Sequence, residues 1–268
     1  MAEGSNGKVW FVGAGPGDPD LITVKGRRLL EQAGAILYAG SLVDRVATQY
    51  APAGCAIRDS KDMTLEEMTA WLIDATGRHA TVVRLQTGDP GLYGALIEMT
   101  RPLTAVGIPW AVVPGVSSAM AAMAAVGETL TLPEVTQTVI LTRVAGRTPM
   151  PPGEDLAALA AHRTTLCIFL SITLLHEVQA ALRKAGWAEE APMLVVQKAS
   201  WPDAEKVVRG TLADIKQKCQ AEKIASQAMI VASPALGAAD WPTLTRSKLY
   251  DPAFAHRFRK ATETNHDE

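Results

Sequence analysis

The residues of this sequence best suited to chemistry lie in one loop rich in glycine and proline. Gly88, Asp89, Pro90, Gly91 and Gly94 follow a short apolar run and precede a segment typical of a helix. Glycines let ligand atoms approach the backbone and leave amides free to bind them. Asp89 is the one charged residue of this loop. A carboxylate suits a ligand with hydroxyl or ammonium groups better than one with phosphates, so the loop predicts a small-molecule site without phosphate binding.

Two further loops of the same kind follow other apolar runs. Residues 13–19, GAGPGDP, come after the run 9–12, and Pro114-Gly115 comes after the run 110–113. Each loop taken singly is typical of an ordinary tight turn in an α/β sheet. Three of them at strand ends favour a ligand site, because the carboxyl ends of parallel strands meet at one edge of a sheet.

A dinucleotide site is the first alternative for residues 13–18. The fingerprint G-x-G-x-x-G needs glycine where Asp18 stands, and Pro16 and Pro19 delay the following helix to about Thr23. The next predicted strand also lacks an acidic residue near its end. No Gly-Lys-Ser/Thr follows as in a P-loop. The sequence therefore disfavours nicotinamide, flavin and nucleoside triphosphate sites.

The elements that must position these loops alternate between strand and helix patterns over residues 9–131. This alternation predicts a mostly parallel sheet with right-handed β-α-β connections. The predicted strands include 35–38 and 81–85, and the predicted helices are 23–33, 41–50, 65–75 and 119–125. The helix 65–75 opens with a capping box at Thr64, and Pro102 is expected to kink or split the helix that follows Gly94.

The second half of the chain repeats the α/β pattern after a polar, proline-containing passage at 132–138. Its predicted strands are 139–141, 165–170, 192–197, 206–209 and 228–232, and its predicted helices are 174–185 and 212–219. We therefore expect an α/β fold with two domains, 1–132 and 139–246, followed by a tail at 247–268 that forms a short helix or stays loose.

Composition limits the class of protein. The chain has 268 residues, 48% of them hydrophobic and 20% charged, with a net charge of -2, as is typical of a globular protein without a nucleic-acid or membrane surface. The cysteines, Cys55, Cys167 and Cys219, are widely spaced, which indicates a reducing compartment and no metal site. Cys167 is expected in the core. Neither a secretion signal nor an apolar stretch of membrane-spanning length is visible, so we expect a cytoplasmic protein.

The three loops resemble the N-terminal motifs of a known family. Residues 12–18, 88–90 and 114–118 are similar to those of the tetrapyrrole methylases, class III methyltransferases that use S-adenosylmethionine. The resemblance covers nearly the whole chain. It implies two α/β domains with the cofactor in the cleft between them, and usually a homodimer.

Further segments resemble a subgroup of that family. Residues 38–43, 142–151, 199–203 and 247–252 are similar to those of members that methylate C11 of precorrin-4 in cobalamin biosynthesis. The resemblance thus implies a precorrin-4-type tetrapyrrole as substrate and makes the tail part of the fold.

The resemblance also implies cofactor-binding residues in both halves of the chain. They are Pro16, Gly88, Asp89, Leu92, Ser117, Ser118, Phe169, Leu170, Ala199, Ser200, Ala228 and Met229. The loop 88–92 would hold the methionine and ribose portions with the two serines lining the same pocket, and the later pairs would cover the adenine. Pro16 would lie at the mouth where the tetrapyrrole enters. S-adenosylhomocysteine would be the product, and no metal is implied.

Methyl transfer of this kind depends more on the positions of the two reactants than on reactive side chains. A sulfonium methyl is already activated, and fixed geometry alone can lower a barrier by roughly 7–11 kcal/mol. A base could take the proton that leaves afterwards. Some relatives have an aspartate at the position matching Gly40, where this sequence departs from the pattern, so no catalytic residue is assigned.

A site that binds the carboxylates of a tetrapyrrole is expected to contain cationic side chains. Arginine binds a carboxylate with two hydrogen bonds, and Arg143 and Arg147 lie in a loop after a predicted strand. Arg84 and Lys198 are weaker candidates, and a solvated surface charge is the alternative for each. Trp201 is interpreted either as a lid over the tetrapyrrole or as a buried aromatic in a turn.

Three rival functions remain from the sequence alone. The first is a methyltransferase of the same fold that acts on another precorrin, on ribosomal RNA or on a protein. The second is a binding module that senses S-adenosylmethionine without turnover. The third is a nucleotide-dependent oxidoreductase.

Overall fold

The structure, a computed structural model, describes residues 7–243 and 247–261. It divides into two compact units. The first comprises the chain up to residue 125 together with 196–207 and 226–229, and the second comprises 126–195, 208–225 and the chain from 230 on. The predicted domains and tail include 1–6, 244–246 and 262–268, which lie outside the described residues.

The first unit contains a five-stranded sheet with helices after its strands. The strands run in the order β3-β2-β4-β1-β5, and each neighbouring pair is parallel, as predicted. The elements are β1 Lys8–Gly13, α1 Val24–Glu31, β2 Ala35–Tyr38, β3 Ala56–Asp59, α2 Leu65–Thr76, β4 Thr81–Gln86, α3 Leu96–Ala105, β5 Trp110–Val113 and α4 Ser118–Ala124.

Both faces of this sheet are covered. Val12 of β1 packs into one buried cluster with Leu30 and Leu85, whereas Phe11 packs into another with Leu103. Successive strand residues point to opposite faces, so a sheet covered on both sides needs nearly continuous apolar strands. The apolar runs of the sequence therefore reflect two-sided burial, and the α/β interpretation is confirmed.

Some local predictions were wrong. A helix was predicted over 41–50, but only Arg45–Thr48 is helical, as a short 3-10 helix. The Asp44 carboxylate accepts a hydrogen bond from the Val46 N–H at 2.9 Å, so a new turn begins at that point. Strand β3 was not predicted, since it is largely exposed and lacks an apolar run. Helix α3 continues through Pro102 without being split, and the buried neighbours Met99 and Leu103 hold it against the sheet.

A second five-stranded sheet has the order β6-β7-β10-β8-β9. β7 pairs in parallel with β6 and antiparallel with β10, so this sheet is mixed. The elements are β6 Val139–Arg143, α5 Leu156–Ala160, β7 Thr165–Phe169, α6 Leu175–Lys184, β8 Pro192–Gln197, β9 Lys206–Thr211, α7 Ile215–Ala221 and β10 Ala228–Ala232.

The described part of the tail has internal order. It begins with a short 3-10 helix, Lys248–Tyr250, and the Arg259 guanidinium donates hydrogen bonds to the carbonyls of Leu249, at 2.8 Å, and Asp251, at 2.5 Å. Throughout the ranges 7–243 and 247–261, no helix is both long and apolar enough to cross a membrane.

The capping box predicted at the start of helix α2 is present and can be tested by mutation. Thr64 accepts a hydrogen bond from the Glu67 N–H at 3.2 Å, and the Glu67 carboxylate accepts one from the Thr64 N–H at 2.7 Å. Thr64→Ala should lower the free energy of unfolding by about 1 kcal/mol, because an N-cap side chain is lost. Thr64→Ser, which keeps the hydroxyl, is the control. Calorimetry should show a lower unfolding midpoint for the alanine variant alone, and equal midpoints would contradict the role of the cap.

Candidate functional site

Three loops meet at the carboxyl edge of the first sheet with almost no space between their backbones. A Cβ on Gly13 would lie 2.5 Å from the Gly88 carbonyl oxygen and 2.6 Å from the Gly115 Cα. A Cβ on Gly115 would lie 2.0 Å from the same Gly88 oxygen. The Gly88 N–H donates to the Gly15 carbonyl at 2.8 Å. Glycine is therefore required at Gly13 and Gly115 by space, and the predicted convergence of the loops within this unit is confirmed.

The Asp89 carboxylate ties two of these loops together. One oxygen accepts a hydrogen bond from the Gly91 N–H at 2.7 Å, and the other accepts one from the Gly115 N–H at 3.0 Å. A carboxylate has about four lone-pair sites, so each oxygen can still accept a further donor. Asp89 thus braces the loops that follow β4 and β5 and can bind a donor at the same time.

Gln86, the last residue of β4, supplies an acceptor that the sequence analysis missed. Its amide nitrogen donates to the Gly94 carbonyl at 2.5 Å, while its Oε1 is buried and has no hydrogen-bond partner among the described residues. A buried unpaired acceptor costs about 1–3 kcal/mol, so the end of β4 carries a polar atom that the fold itself leaves unsatisfied. The signal in the sequence was a polar amide at the end of a mainly apolar strand.

The remaining predicted residues of these loops are half-buried or buried. The Leu92 N–H donates to the Asp89 carbonyl at 3.1 Å. Ser117 caps α4, with its hydroxyl oxygen accepting from the Ala119 N–H at 3.3 Å, and Ser118 is the first residue of that helix. Their position at the start of a helix leaves backbone N–H groups of its first turn without partners inside the helix.

The segment 198–203 belongs to the same unit and joins the loop after β1. The Ser200 hydroxyl accepts a hydrogen bond from the Asp18 N–H at 3.1 Å, and the Trp201 indole N–H donates to the Pro16 carbonyl at 2.9 Å. A Cβ on Gly17 would lie 2.0 Å from the Trp201 ring. Trp201 is therefore half-buried and packed against the turn that contains Gly17.

Lys198, Ala199 and residues 228–229 complete the first unit's share of the predicted site. The Lys198 ammonium lies 5.0 Å from the centre of the Trp201 ring, and the Lys198 backbone N–H donates to the Gln227 carbonyl at 2.8 Å. Ala199 and Met229 are buried. The structure thus brings ten of the twelve predicted cofactor residues into the first unit, and Phe169 and Leu170 belong to the second.

Several site residues adopt left-handed backbone conformations that non-glycine residues rarely take. Ser200 has φ 66°, Lys198 has φ 49° and Tyr93 has φ 55°. In the second unit Leu170, which follows β7, has φ 53° and is 60% exposed. Such conformations cost of order 1–3 kcal/mol each and cluster at functional sites. Their concentration in the predicted loops supports a binding role for these segments.

The candidate cations differ in what they contact. The Arg143 guanidinium donates to the carbonyls of Thr148, at 3.1 Å, and Pro149, at 2.7 Å, so it braces its own loop. Arg147 lies exposed in that loop and has no partner among the described residues. Arg84 is only 5% exposed and donates to the Ser60 hydroxyl at 2.8 Å. Burial lowers the pKa of Arg84 to about 10, against an opposing effect of Asp59.

Neither a metal cluster nor a reactive thiol is evident where the chain is described. No group of three or more histidine, cysteine, aspartate or glutamate side chains among these residues could hold a metal ion. Cys167 is fully buried in β7, as predicted, and burial raises the pKa of its thiol to about 12. The thiol is therefore neutral and belongs to the core.

Comparison with known proteins agrees with this geometry. Residues 8–216 match the family model described as Tetrapyrrole (Corrin/Porphyrin) Methylases. The chain is 46% identical over 257 residues to a protein of Priestia megaterium named cobalt-precorrin-4 C(11)-methyltransferase, covering 96% of this chain and 99% of that protein. It is 45% identical over 251 residues to the precorrin-4 C(11)-methyltransferase of Pseudomonas aeruginosa, covering 94% and 98%.

Solved structures give the same result. An X-ray structure titled as a cobalt precorrin-4 methyltransferase of cobalamin biosynthesis matches with a TM-score of 0.84 and 47% identity, over 88% of this chain and 98% of that one. A uroporphyrin-III C-methyl transferase from Thermus thermophilus, solved with S-adenosylhomocysteine, matches with a TM-score of 0.70 and 30% identity, over 87% and 100%.

The contact between the glycine loops yields a prediction. Gly115→Ala should lower the stability of the first unit by about 1–3 kcal/mol, because its methyl group overlaps the Gly88 carbonyl and forces the loops apart. Gly77→Ala is the matched control, since a Cβ there would lie 3.4 Å from its nearest neighbour and the backbone has φ -70°. Hydrogen exchange should speed up at residues 88–91 in the first variant only. Unchanged exchange there would show that the loops do not depend on this contact.

Proposed function

The chain belongs to the tetrapyrrole methylase family, and we propose that it transfers a methyl group from S-adenosylmethionine to C11 of precorrin-4, or of cobalt-precorrin-4, in cobalamin biosynthesis. The observation that carries the proposal is the 45–46% identity, over nearly the full length of both partners, to proteins named for that reaction. The convergence of Gly13, Gly88 and Gly115 supports it independently, because it builds a binding edge from backbone.

The donors and acceptors at this edge fit S-adenosylmethionine better than a phosphate-bearing cofactor. Asp89 presents a half-buried carboxylate with spare lone pairs, which suits the ammonium and hydroxyl groups of the cofactor. The Gln86 Oε1 is buried and unpaired, so it can accept a donor of the cofactor once its side chain turns toward the edge. We propose that the cofactor is held by the residues named from the family resemblance, with Gln86 added: Pro16, Gly88, Asp89, Leu92, Ser117, Ser118, Phe169, Leu170, Ala199, Ser200, Ala228 and Met229.

When bound, the cofactor supplies an activated methyl group on a sulfonium centre. The task of the protein is then to hold the acceptor carbon in line with that methyl, which can contribute roughly 7–11 kcal/mol. Loops braced by Asp89 and by the Ser200–Asp18 hydrogen bond suit this task, because their positions are fixed by contacts within the unit. S-adenosylhomocysteine is the second product.

We assign the carboxylate groups of the tetrapyrrole to the loop that follows β6. Arg143 holds this loop by two hydrogen bonds to its carbonyls, and Arg147 is displayed on it. Arg147 is therefore the proposed direct contact, and Arg143 the residue that positions it. Arg84 is buried, so its proposed contribution is a positive field beneath the sheet edge.

We further propose a cytoplasmic homodimer that needs no metal of its own. The three cysteines are all free thiols, in keeping with a reducing compartment. Family resemblance supports the homodimer, and light scattering on the purified protein would test it. Activity that survives dialysis against a chelator, with metal-free precorrin-4 as substrate, would support the metal-free proposal.

A turnover assay tests the function. Enzymatically generated precorrin-4, with and without cobalt, would be incubated with methyl-labelled S-adenosylmethionine, and the product would be examined by mass spectrometry and carbon NMR. One new methyl at C11 is the expected result. Transfer to another precorrin or to ribosomal RNA, with neither precorrin-4 form accepted, would overturn the proposed substrate while keeping the cofactor.

The cation assignment can be tested separately. Arg147→Ala should raise the KM for the tetrapyrrole by about tenfold or more, because a charge-assisted bond to a carboxylate contributes about 1.5–3 kcal/mol. The KM for S-adenosylmethionine should not change. Arg101→Ala, which removes an exposed arginine from α3, is the control. Equal increases in both KM values would indicate that Arg147 acts through the fold instead.

A further inference from the structure

One carboxylate at the carboxyl edge of the first sheet is not used by the loops described so far. Asp59 is the last residue of β3, and Gly40 follows the neighbouring strand β2. The Gly40 N–H donates to Asp59 Oδ1 at 3.0 Å, and the Lys61 N–H donates to the same oxygen at 2.9 Å. Ligands of open parallel sheets bind outside this edge. Asp59 is therefore on the side of the sheet where the acceptor must come.

Asp59 and a side chain at Gly40 would compete for one volume. A Cβ on Gly40 would lie 2.2 Å and 2.3 Å from the two Asp59 carboxylate oxygens. Gly40 is not among the residues with a left-handed backbone. A side chain at position 40 would thus have to displace the Asp59 carboxylate from its two backbone hydrogen bonds. The carboxylate next to position 40 at the edge of the sheet is therefore that of Asp59, the last residue of β3.

This carboxylate is partly exposed and has cationic side chains as neighbours. The Lys61 ammonium lies 4.0 Å from Oδ2, and the Asp59 side chain is 26% exposed. Burial and the nearby charge of Asp59 raise the pKa of Tyr38. The Arg84 guanidinium lies buried nearby with its Nε unpartnered among the described residues. Asp59 therefore has the positive charges of Lys61 and Arg84 near it, and its Oδ2 accepts no backbone N–H among the described residues.

Asp89 is less suited to receive a proton from a substrate. Each of its oxygens accepts a backbone N–H from the loops that it braces. Protonating it would weaken those hydrogen bonds and loosen the loops. Asp59 can take a proton on Oδ2 while Oδ1 keeps its two backbone bonds.

We propose that Asp59 accepts the ring N–H proton that the tetrapyrrole releases when C11 is methylated. This inference rests on the proposed function. An electron pair of the ring forms the new carbon–carbon bond to the methyl, and the carbon–sulfur bond breaks with its pair passing to sulfur, which becomes a neutral thioether. The ring is left as a cation. A ring N–H then gives its proton to the Asp59 carboxylate, and the nitrogen keeps the pair.

Variants at both positions test the inference. Asp59→Asn keeps an oxygen for the Gly40 N–H but accepts no proton, and Asp59→Ala removes the group. Both should lower kcat by about 100-fold or more, the usual range for a lost acid–base group. Titration with S-adenosylhomocysteine should give the wild-type affinity. Gly40→Asp alone should impair the protein, because two carboxylates would share one volume.

The double variant Asp59→Ala with Gly40→Asp provides the decisive readout. It returns a carboxylate to the same volume from the neighbouring strand, so kcat should rise by about tenfold or more over Asp59→Ala. A structural role for Asp59 predicts no such rescue.

Two results would overturn the inference. One is full activity of Asp59→Asn. The other is a double variant that binds S-adenosylhomocysteine normally but is no faster than Asp59→Ala. Wild-type turnover in the same assay reports on the function itself: a wild type inactive on both precorrin-4 forms overturns function and inference together, whereas an active wild type leaves the function standing whatever the variants do.

Discussion

The contact of three glycine backbones is the constraint on which the first unit depends. Parallel strands lie only about 4.8 Å apart, so the loops that leave β1, β4 and β5 at one edge must share a small space. Gly13, Gly88 and Gly115 meet there without side chains, and Asp89 fixes the arrangement by bonding the Gly91 and Gly115 amides. A site built this way offers a ligand mostly backbone and a few acceptors. That explains how loops rich in glycine and proline can serve a cofactor that has no phosphate.

Close packing also limits which side chains fit at the ends of the neighbouring strands. Gly40 leaves room for the carboxylate of Asp59, which is held by two backbone N–H groups and faces Tyr38. Arg84 would be costly alone in the interior, since burial of an unpaired charge is strongly unfavourable. The nearby Asp59 charge and the Ser60 hydroxyl offset part of that cost. Asp59, Ser60 and Arg84 thus form one electrostatic cluster at this end of the sheet.

Sequence reasoning found the parts of the fold that depend on local pattern. Strands β8 and β10 and helix α2 follow from apolar runs and from the capping box at Thr64, and the glycine loops follow from their breakers. Strand β3 has no apolar run, because it lies at an edge of the sheet and is largely exposed. Missing it meant missing Asp59. The direction of a long side chain could not be predicted from the sequence either. Nothing in the local sequence distinguishes Arg143, which donates hydrogen bonds to its own loop, from Arg147, which is exposed to solvent.

The measurement that tests the account most directly is a crystal structure of the protein with S-adenosylhomocysteine bound. The expected result is density for the ligand against the loop 88–92, with a donor of the ligand on the Asp89 carboxylate, whose oxygens each keep a free acceptor site. Gly13, Gly88 and Gly115 should also remain in contact. A ligand bound elsewhere, or one that reaches this edge only after these backbones separate, would contradict the claim that glycine packing forms the cofactor site.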